Sequence, residues 1–259
     1  VEELSGLDRS RWTEPVPPGA ADRLGTLVAR RSAGEPLQYV LGRWAFRGLE
    51  LHVDPRVLIP RPETEVVAGL AIEEARRGGG PCTVADLGTG SGAIALSLAA
   101  EVPAAQVWAT DVSPAALDVA RANLAAVAPE AAARVRLAEG MWYEALPARL
   151  RGRLRVIVSN PPYVTAAEFT DLPPEVRDHE PAGALVSGPT GLECLEHLVA
   201  GGARWLEPGG ALVLEMAPDQ AAPLCRAAAA AGYEAVAVHR DLAGRQRVLV
   251  ARRPSRAGA

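Results

Sequence analysis

The chain contains no lysine: all 27 of its basic residues are arginine. Chemistries that need an amine, such as the P-loop lysine, Schiff-base catalysis and pyridoxal phosphate, are thereby excluded. Cysteine is scarce. Cys82, Cys194 and Cys225 are odd in number and far apart, which fits neither a disulfide framework nor a zinc pattern and suits a reducing compartment. The four histidines, His52, His179, His197 and His239, show no HExxH spacing. Cys194 and His197 lie three apart on an expected helix, but two ligands do not make a site, so no metal is expected. There is no run of eighteen uninterrupted apolar residues, and the start, Val1-Glu2-Glu3, is acidic where a signal peptide would be basic. The expectation is a cytoplasmic protein with no membrane span. Aromatic residues make up only 4% and the formal charge is −4, which argues against a dedicated nucleic-acid groove.

What is present is 49% hydrophobic and 22% charged residues over 259 positions, enough for one sizeable globular domain and a smaller one. From Thr83 onward apolar runs alternate with alanine-rich helical stretches, the pattern of an α/β domain with a mostly parallel sheet. Strands are expected over Thr83–Leu87, Gln106–Asp111, Arg134–Ala138, Arg155–Ser159, Ala211–Met216, Glu234–His239 and Arg247–Ala251. Helices are expected to begin near Gly92, Pro114, Thr190 and Pro218, with Ser113 capping the second of them ahead of a proline at the first helical position. Gly209-Gly210 and Gly232 read as helix ends. No helix separates the last two strands, and Ala243-Gly244 offers a turn, so a closing antiparallel hairpin is expected. Upstream, residues 20–33 read as a helix, Tyr39–Phe46 and Glu50–Ile59 as two strands, and Glu63–Arg77 as a helix, followed by the joint Gly78-Gly79-Gly80-Pro81. The chain divides into an N-terminal part, residues 1–60, and a main α/β domain, residues 61–259.

The apolar run Leu154–Ser159 is followed by Asn160-Pro161-Pro162-Tyr163. Two prolines fix their own φ, remove two N–H donors and push the residue before each out of helical geometry, so a strand must end at Asn160. An Asn side chain and carbonyls without N–H partners are left at the strand's C-terminal end, where open α/β sheets bind ligands. Tyr163 adds a flat π-face. Such a pocket suits a planar nitrogen; the alternative is a proline-rich turn leaving a strand.

The segment Val84–Ala93 runs from a strand through Gly88-Thr89-Gly90-Ser91-Gly92 into a helix, the form of a nucleotide-cofactor loop. Glycines let the backbone approach a ligand closely, and Asp111, ending the next strand, can accept two hydrogen bonds from ribose hydroxyls. The spacing Gly88-x-Gly90-x-x-Ala93 also satisfies the dinucleotide fingerprint, so the loop alone fits either a nicotinamide or another adenosine cofactor. Asp86, just before the first glycine, favours a cofactor bearing positive charge and an amino group over a pyrophosphate, which it would repel. S-adenosylmethionine has both. Its sulfonium is an intrinsic electrophile, so the protein need only position the acceptor and exclude water. Trp142 reads equally as a platform for adenine or as a core aromatic.

With Gly34–Gly42, Leu58–Glu65, Glu180-Pro181, Gly191-Leu192, Leu214-Glu215 and Asp241–Gly244 with Arg247, these motifs resemble a known family over nearly the whole chain. The family is the class I S-adenosylmethionine methyltransferases carrying Asn-Pro-Pro-Tyr, and within it the release factor glutamine methyltransferases. The stretch Ile59-Pro60-Arg61-Pro62-Glu63-Thr64-Glu65 looks like the release-factor enzymes more than their relatives that modify a ribosomal protein. The resemblance implies a Rossmann-like fold with a seven-stranded sheet, and methylation of the amide nitrogen (N5) of the glutamine in the Gly-Gly-Gln loop of peptide chain release factors. It implies that Gly88, Thr89, Gly90, Ser91, Gly92, Asp111, Trp142 and Asn160 contact S-adenosyl-L-methionine. Asn160, Pro161, Pro162 and Tyr163 would contact the glutamine: the Asn160 side chain and Pro161 carbonyl hold its amide, and Tyr163 packs against its plane. The family usually has a longer helical N-terminal domain, whereas this chain starts at Val1 without methionine, so residues 1–60 are expected to be a remnant of the part that recognises the release factor. Relatives often carry an acid where this chain has Met141, so Glu139 or a backbone carbonyl is expected to take its place. The rivals are an N6-adenine methyltransferase acting on DNA or rRNA, in which the same tetrapeptide can hold the amine of a flipped base, a ribosomal-protein glutamine methyltransferase, and a nicotinamide-dependent oxidoreductase, which leaves Asn160–Tyr163 unexplained.

Overall fold

The computed structural model describes residues 19–255. The acidic start Val1–Glu3 and the first part of the expected N-terminal unit lie outside the described residues. The described chain opens with helices α1 (Ala20–Ser32) and α2 (Leu37–Leu41), an antiparallel hairpin of β1 (Arg43–Phe46) and β2 (Leu49–His52), and helix α3 (Pro62–Arg77). Two expectations change here. Tyr39–Leu41 are helical rather than extended because Pro36 leads into a turn of helix that Gly42, at φ 72°, closes. The second strand stops at His52 instead of reaching Ile59, because the following segment turns over α5 (Pro114–Val127) and buries Val53, Val57 and Ile59 with Tyr39, Ala116 and Val119.

The main domain continues through β3 (Cys82–Leu87), α4 (Ala93–Glu101), β4 (Ala105–Asp111), α5, β5 (Val135–Glu139) and β6 (Leu154–Ser159). Beyond β6 come the short elements β7 (Val164–Thr165), α6 (Ala166–Asp171), α7 (Pro174–Arg177) and β8 (Val186–Gly188), then α8 (Glu193–Gly202), β9 (Leu206–Glu215), α9 (Ala221–Ala230), β10 (Glu234–Arg240) and β11 (Gln246–Arg252). Seven strands form one sheet in the order β10-β11-β9-β6-β3-β4-β5. Strands β9, β6, β3, β4 and β5 run parallel, and β11 and β10 close the sheet antiparallel. This is the seven-stranded, mostly parallel Rossmann-like sheet with an antiparallel C-terminal hairpin that the sequence leads one to expect. Val84, Val107, Val156, Val158 and Val213 meet Ala71, Ile72, Leu96 and Leu98 of α3 and α4 on one face. Ala85, Leu87, Ile157, Leu212 and Leu214 meet Leu195, Leu198 and Leu224 of α8 and α9 on the other. A sheet covered on both faces needs such near-continuous apolar strands, and each fully buried side chain of this size contributes about 1.5–3 kcal/mol.

Strand β9 is longer than Ala211–Met216, because it runs from Leu206 through Pro208-Gly209-Gly210, the segment expected to end a helix. A Cβ on Gly210 would lie 2.8 Å from the Leu154 carbonyl, so glycine lets the two backbones close up where the β6–β9 register shifts. Helices α8 and α9 start three residues after their expected positions. Thr190 is engaged by the Glu193 carboxylate ahead of α8, and Pro218–Gln220 forms a 3-10 turn ahead of α9. The chain leaves β3 toward β4 and β5 on one side and later returns to β6 and β9 on the other. The C-terminal ends of β3 and β6 therefore flank the topological switch point, where open α/β sheets bind ligands. No helix among the described residues is long and apolar enough to cross a membrane.

Candidate active site

The loop after β3 takes the path that glycine permits. Gly88, Gly90 and Gly92 have φ of 76°, 54° and 86°. A Cβ on Gly90 would meet no protein atom within 4 Å, whereas one on Gly92 would press on Leu96 and Ala120. Gly90 thus leaves space on the cavity side, and Gly92 packs the loop onto α4 and α5 without lining the cavity. From below, the Thr110 carbonyl accepts the N–H groups of Gly88 and Thr89, each at 2.8 Å. Asp86 is only 1% exposed. Its Oδ2 accepts from Thr89 Oγ1 at 2.7 Å and from Ala95 N–H at 3.1 Å, while Oδ1 has no hydrogen-bond partner among the described residues. Burial pushes its carboxyl up to about 7. Asp86 secures the loop from beneath and is not part of the cavity wall.

Asp111 ends β4 facing the loop, with Oδ2 accepting Gly90 N–H and Oδ1 accepting Ser113 N–H, both at 2.9 Å. Burial raises its carboxyl, and these backbone donors oppose that rise. A cavity of about 520 Å³ brings Gly88, Thr89, Gly90, Ser91, Asp111, Trp142, Asn160 and Pro162 together. Trp142 does two things at once: its ring lines the cavity against Gly88 and also packs on the sheet's apolar layer. Its φ of 49° is left-handed, a conformation that costs a non-glycine residue of order 1–3 kcal/mol and collects at functional sites. Met141 stands exposed at the cavity wall, and Glu139, also exposed, does not reach it.

Asn160 also borders a smaller cavity of about 50 Å³, lined by Pro161, Tyr163, Leu58 and Arg61. The tetrapeptide is pinned at both ends. Ser159 Oγ donates to the Leu87 carbonyl at 2.5 Å, and Gln220 Nε2 donates to the Tyr163 carbonyl at 2.9 Å. Gly191 lets that carbonyl pass, since a Cβ there would lie 2.6 Å from it. Asn160 Nδ2 donates to Thr64 Oγ1 at 3.2 Å, Thr64 Oγ1 donates to Glu215 Oε2 at 2.7 Å, and Tyr163 Oη donates to Glu215 Oε1 at 3.2 Å. Glu215 ends β9 and is 1% exposed; burial raises its carboxyl to about 7 against the opposing pull of Thr64, Arg247 and Tyr163. Neither Asn160 Oδ1 nor the Pro161 carbonyl receives a hydrogen bond from the described residues. Asn160 borders both cavities, and Pro161 borders the smaller one. A turn that only left a strand would need none of this.

The stretch Ile59–Glu65 explains itself residue by residue. Ile59 N–H and the Arg61 guanidinium both donate to the buried Glu180 carboxylate, Pro60 lines the main cavity, and Pro62 starts α3. Glu63 receives Arg245 at 2.6 Å, Thr64 reaches Glu215, and Glu65 accepts the Arg47 N–H. Sequence reasoning placed none of Arg61, Thr64, Glu180, Glu215 or Gln220 at the site. For Glu215 a signal existed: it is an acid closing an apolar strand, as Asp111 is.

A family model described as "Methyltransferase small domain" matches residues 75–172, and one described as "PrmC N-terminal domain" matches residues 1–42. The release factor glutamine methyltransferase of Moorella thermoacetica is 45% identical over 249 residues, covering 94% of this chain and 84% of the relative. That of Deinococcus radiodurans is 44% identical over 257 residues, covering 98% and 88%. Among solved structures, a methyltransferase from Pyrococcus furiosus shares the fold with a TM-score of 0.59 at 18% identity, over 90% of this chain and 99% of that one. The chain belongs to the release factor glutamine methyltransferase family.

Proposed function

We propose that the protein transfers a methyl group from S-adenosylmethionine to the side-chain amide nitrogen of the glutamine in the Gly-Gly-Gln motif of peptide chain release factors, acting in the cytoplasm. The observation that carries this reading is a pair of acceptors that receive no hydrogen bond from the described residues: Asn160 Oδ1, on a residue that borders both cavities, and the carbonyl of Pro161, which borders the smaller one. A primary amide has two N–H groups and a delocalised lone pair. Two acceptors holding those hydrogens orient the nitrogen so that the lone pair can be aimed at a methyl carbon, without a strong general base. Tyr163, fixed through Glu215 and Gln220, supplies the flat wall of the smaller cavity, of a size for a side chain rather than a cofactor.

The larger cavity fits the methyl donor. Asp111 retains lone pairs for a ribose diol, Val112, Met141 and Trp142 offer an apolar edge for adenine, and the open space over Gly90 is space that a side chain would fill. When bound, S-adenosylmethionine supplies an electrophilic methyl group whose carbon–sulfur bond breaks as the carbon–nitrogen bond forms, leaving a neutral thioether. The amide nitrogen then gives up one proton to solvent. Residues 61–259 carry this chemistry, and residues 1–60 act in recognising the release factor. The segment Arg56–Pro60 also contributes to the wall of the main cavity, which couples the two parts.

The test is transfer of a labelled methyl group from S-adenosylmethionine to a purified release factor. Label is expected on the release factor and is expected to vanish when the acceptor glutamine is changed to glutamate. Labelling of rRNA, DNA or a ribosomal protein in its place would overturn the assignment.

A further inference from the structure

The chain Asn160–Thr64–Glu215 has a direction. A carboxylate can only accept, so the single Thr64 hydroxyl proton points at Glu215 Oε2, 2.7 Å away. Thr64 Oγ1 is left with lone pairs alone for its other neighbour, and Asn160 must therefore turn its NH2 group toward it, at 3.2 Å. That choice leaves Oδ1 facing away as an acceptor. With the opposite polarity, Asn160 would present N–H groups to the substrate amide, and donor would face donor. The second Glu215 oxygen takes the Tyr163 hydroxyl, so one buried carboxylate sets both side chains that flank the prolines. Burial makes the arrangement sharp, because a buried polar group left unpaired costs about 1–3 kcal/mol.

We propose that Glu215, acting through the Thr64 hydroxyl, is a positioning residue that fixes the amide orientation of Asn160 and so makes it an acceptor for the substrate nitrogen. The inference rests on the functional reading above. It assigns a task to the acid that closes β9 and to the threonine in Ile59–Glu65. Thr64 borders the main cavity and Glu215 does not, and in this account both act through Asn160. The groups facing Glu215 are Arg247 from β11, Tyr163 from the loop after β6, and Glu63 beside Thr64 on α3. Protonation of Glu215 supplies a donor that can reverse the chain, so transfer is expected to fade as pH falls through the range where this acid titrates.

The test begins with wild-type protein labelling a release factor at saturating cofactor; failure at that stage sinks the functional reading and not the relay alone. Thr64→Val keeps the shape and removes the hydroxyl. It is expected to lower kcat by about 100-fold, the scale of a misoriented reacting group, while cofactor Kd changes little and the melting temperature falls by a few degrees, the cost of leaving the two partners of the hydroxyl unpaired. Glu215→Gln can present either a carbonyl or an amide group to Thr64, which populates both polarities and is expected to lower kcat by about 10-fold. Thr64→Ser keeps the hydroxyl and is expected to recover most of the wild-type kcat. The double variant Thr64→Val with Glu215→Gln is expected to be no worse than Thr64→Val, since both changes break one chain. Wild-type kcat is expected to show an acid limb near pH 7 that Thr64→Val lacks. A Thr64→Val kcat within about twofold of wild type, or losses that multiply in the double variant, would overturn the proposal. If Thr64→Val does not fold, Glu215→Gln and Thr64→Ser decide it: loss of kcat at unchanged cofactor Kd in the first and recovery in the second support the relay, and their absence refutes it.

Discussion

The Gly90 nitrogen lies 2.9 Å from Asp111 Oδ2, so the tip of the glycine loop and the end of β4 are joined through the residue proposed to take the ribose hydroxyls. One carboxylate shapes the loop and keeps lone pairs for the ligand.

Asp111→Ala is therefore expected to weaken cofactor binding by roughly 10- to 100-fold, the loss of hydrogen bonds to a charged acceptor at about 1.5–3 kcal/mol. Calorimetric titration of the cofactor checks this. Unchanged affinity would mean that Asp111 serves the loop alone.

Gly90→Val separates space from stability. Its backbone is left-handed, so any side chain adds about 1–2 kcal/mol of strain and lowers the melting temperature by a few degrees. The new atoms meet no protein, but they enter the space reserved over the loop. Cofactor affinity is expected to fall by more than about 10-fold, out of proportion to the stability change. Thermal melts beside binding curves measure the two effects separately.

Asn160→Ala removes the acceptor without opening the cofactor wall elsewhere. Turnover at saturating cofactor is expected to fall by about 100-fold or more, with cofactor affinity changed by about threefold or less. An equal fall in both would make Asn160 chiefly a cofactor ligand.

Stability should respond to pH in the direction opposite to that of a salt-bridged acid. Asp86 titrates near 7 when folded against an ordinary value of 3.8, and Glu215 is raised from 4.5 to about 7. Between these limits the folded chain holds protons that the unfolded chain has released, so stability is greatest below the ordinary values and declines as pH climbs to about 7. Acids lowered by arginine partners, such as Glu74 and Glu101, act below their ordinary value of 4.5 and do not enter this window. The ligand-free protein is expected to melt at a higher temperature at pH 5.5 than at pH 8, and Asp86→Asn to reduce that difference. Circular-dichroism melts across the range would count against this if the slope ran the other way or were untouched by the substitution.

The parts of this molecule that were legible in the sequence are those governed by local chemistry. Val84–Gly92 reads as strand, turn and helix because apolar alternation, glycine and a helical stretch follow one another, and Asn160–Tyr163 reads as a strand end because proline leaves no other choice. Tyr39–Leu41 read as extended because their β-prone side chains outweigh the Pro36 and Gly42 signals that bound a single helical turn. Strand β9 reads short in the sequence because Pro208-Gly209-Gly210 looks like a break; the close approach of Leu154 that makes Gly210 necessary is a tertiary fact. Thr64 and Glu215, separated by 151 positions, meet only because α3 packs against the end of β9, and no local pattern announces such a contact.

The place of β11 has a consequence for the order of construction. This strand lies between β10 and β9, and Val248 pairs with Glu215 itself. During synthesis β9 emerges well before its neighbour on that side, and it waits as an unpaired edge until Gln246–Arg252 leave the ribosome. The glycine loop, resting on β3 and β4, is complete long before that moment. A nascent chain halted ahead of Gln246 is thus expected to carry a formed methyl-donor loop beside an unfinished acceptor pocket, so capacity for transfer waits on β11.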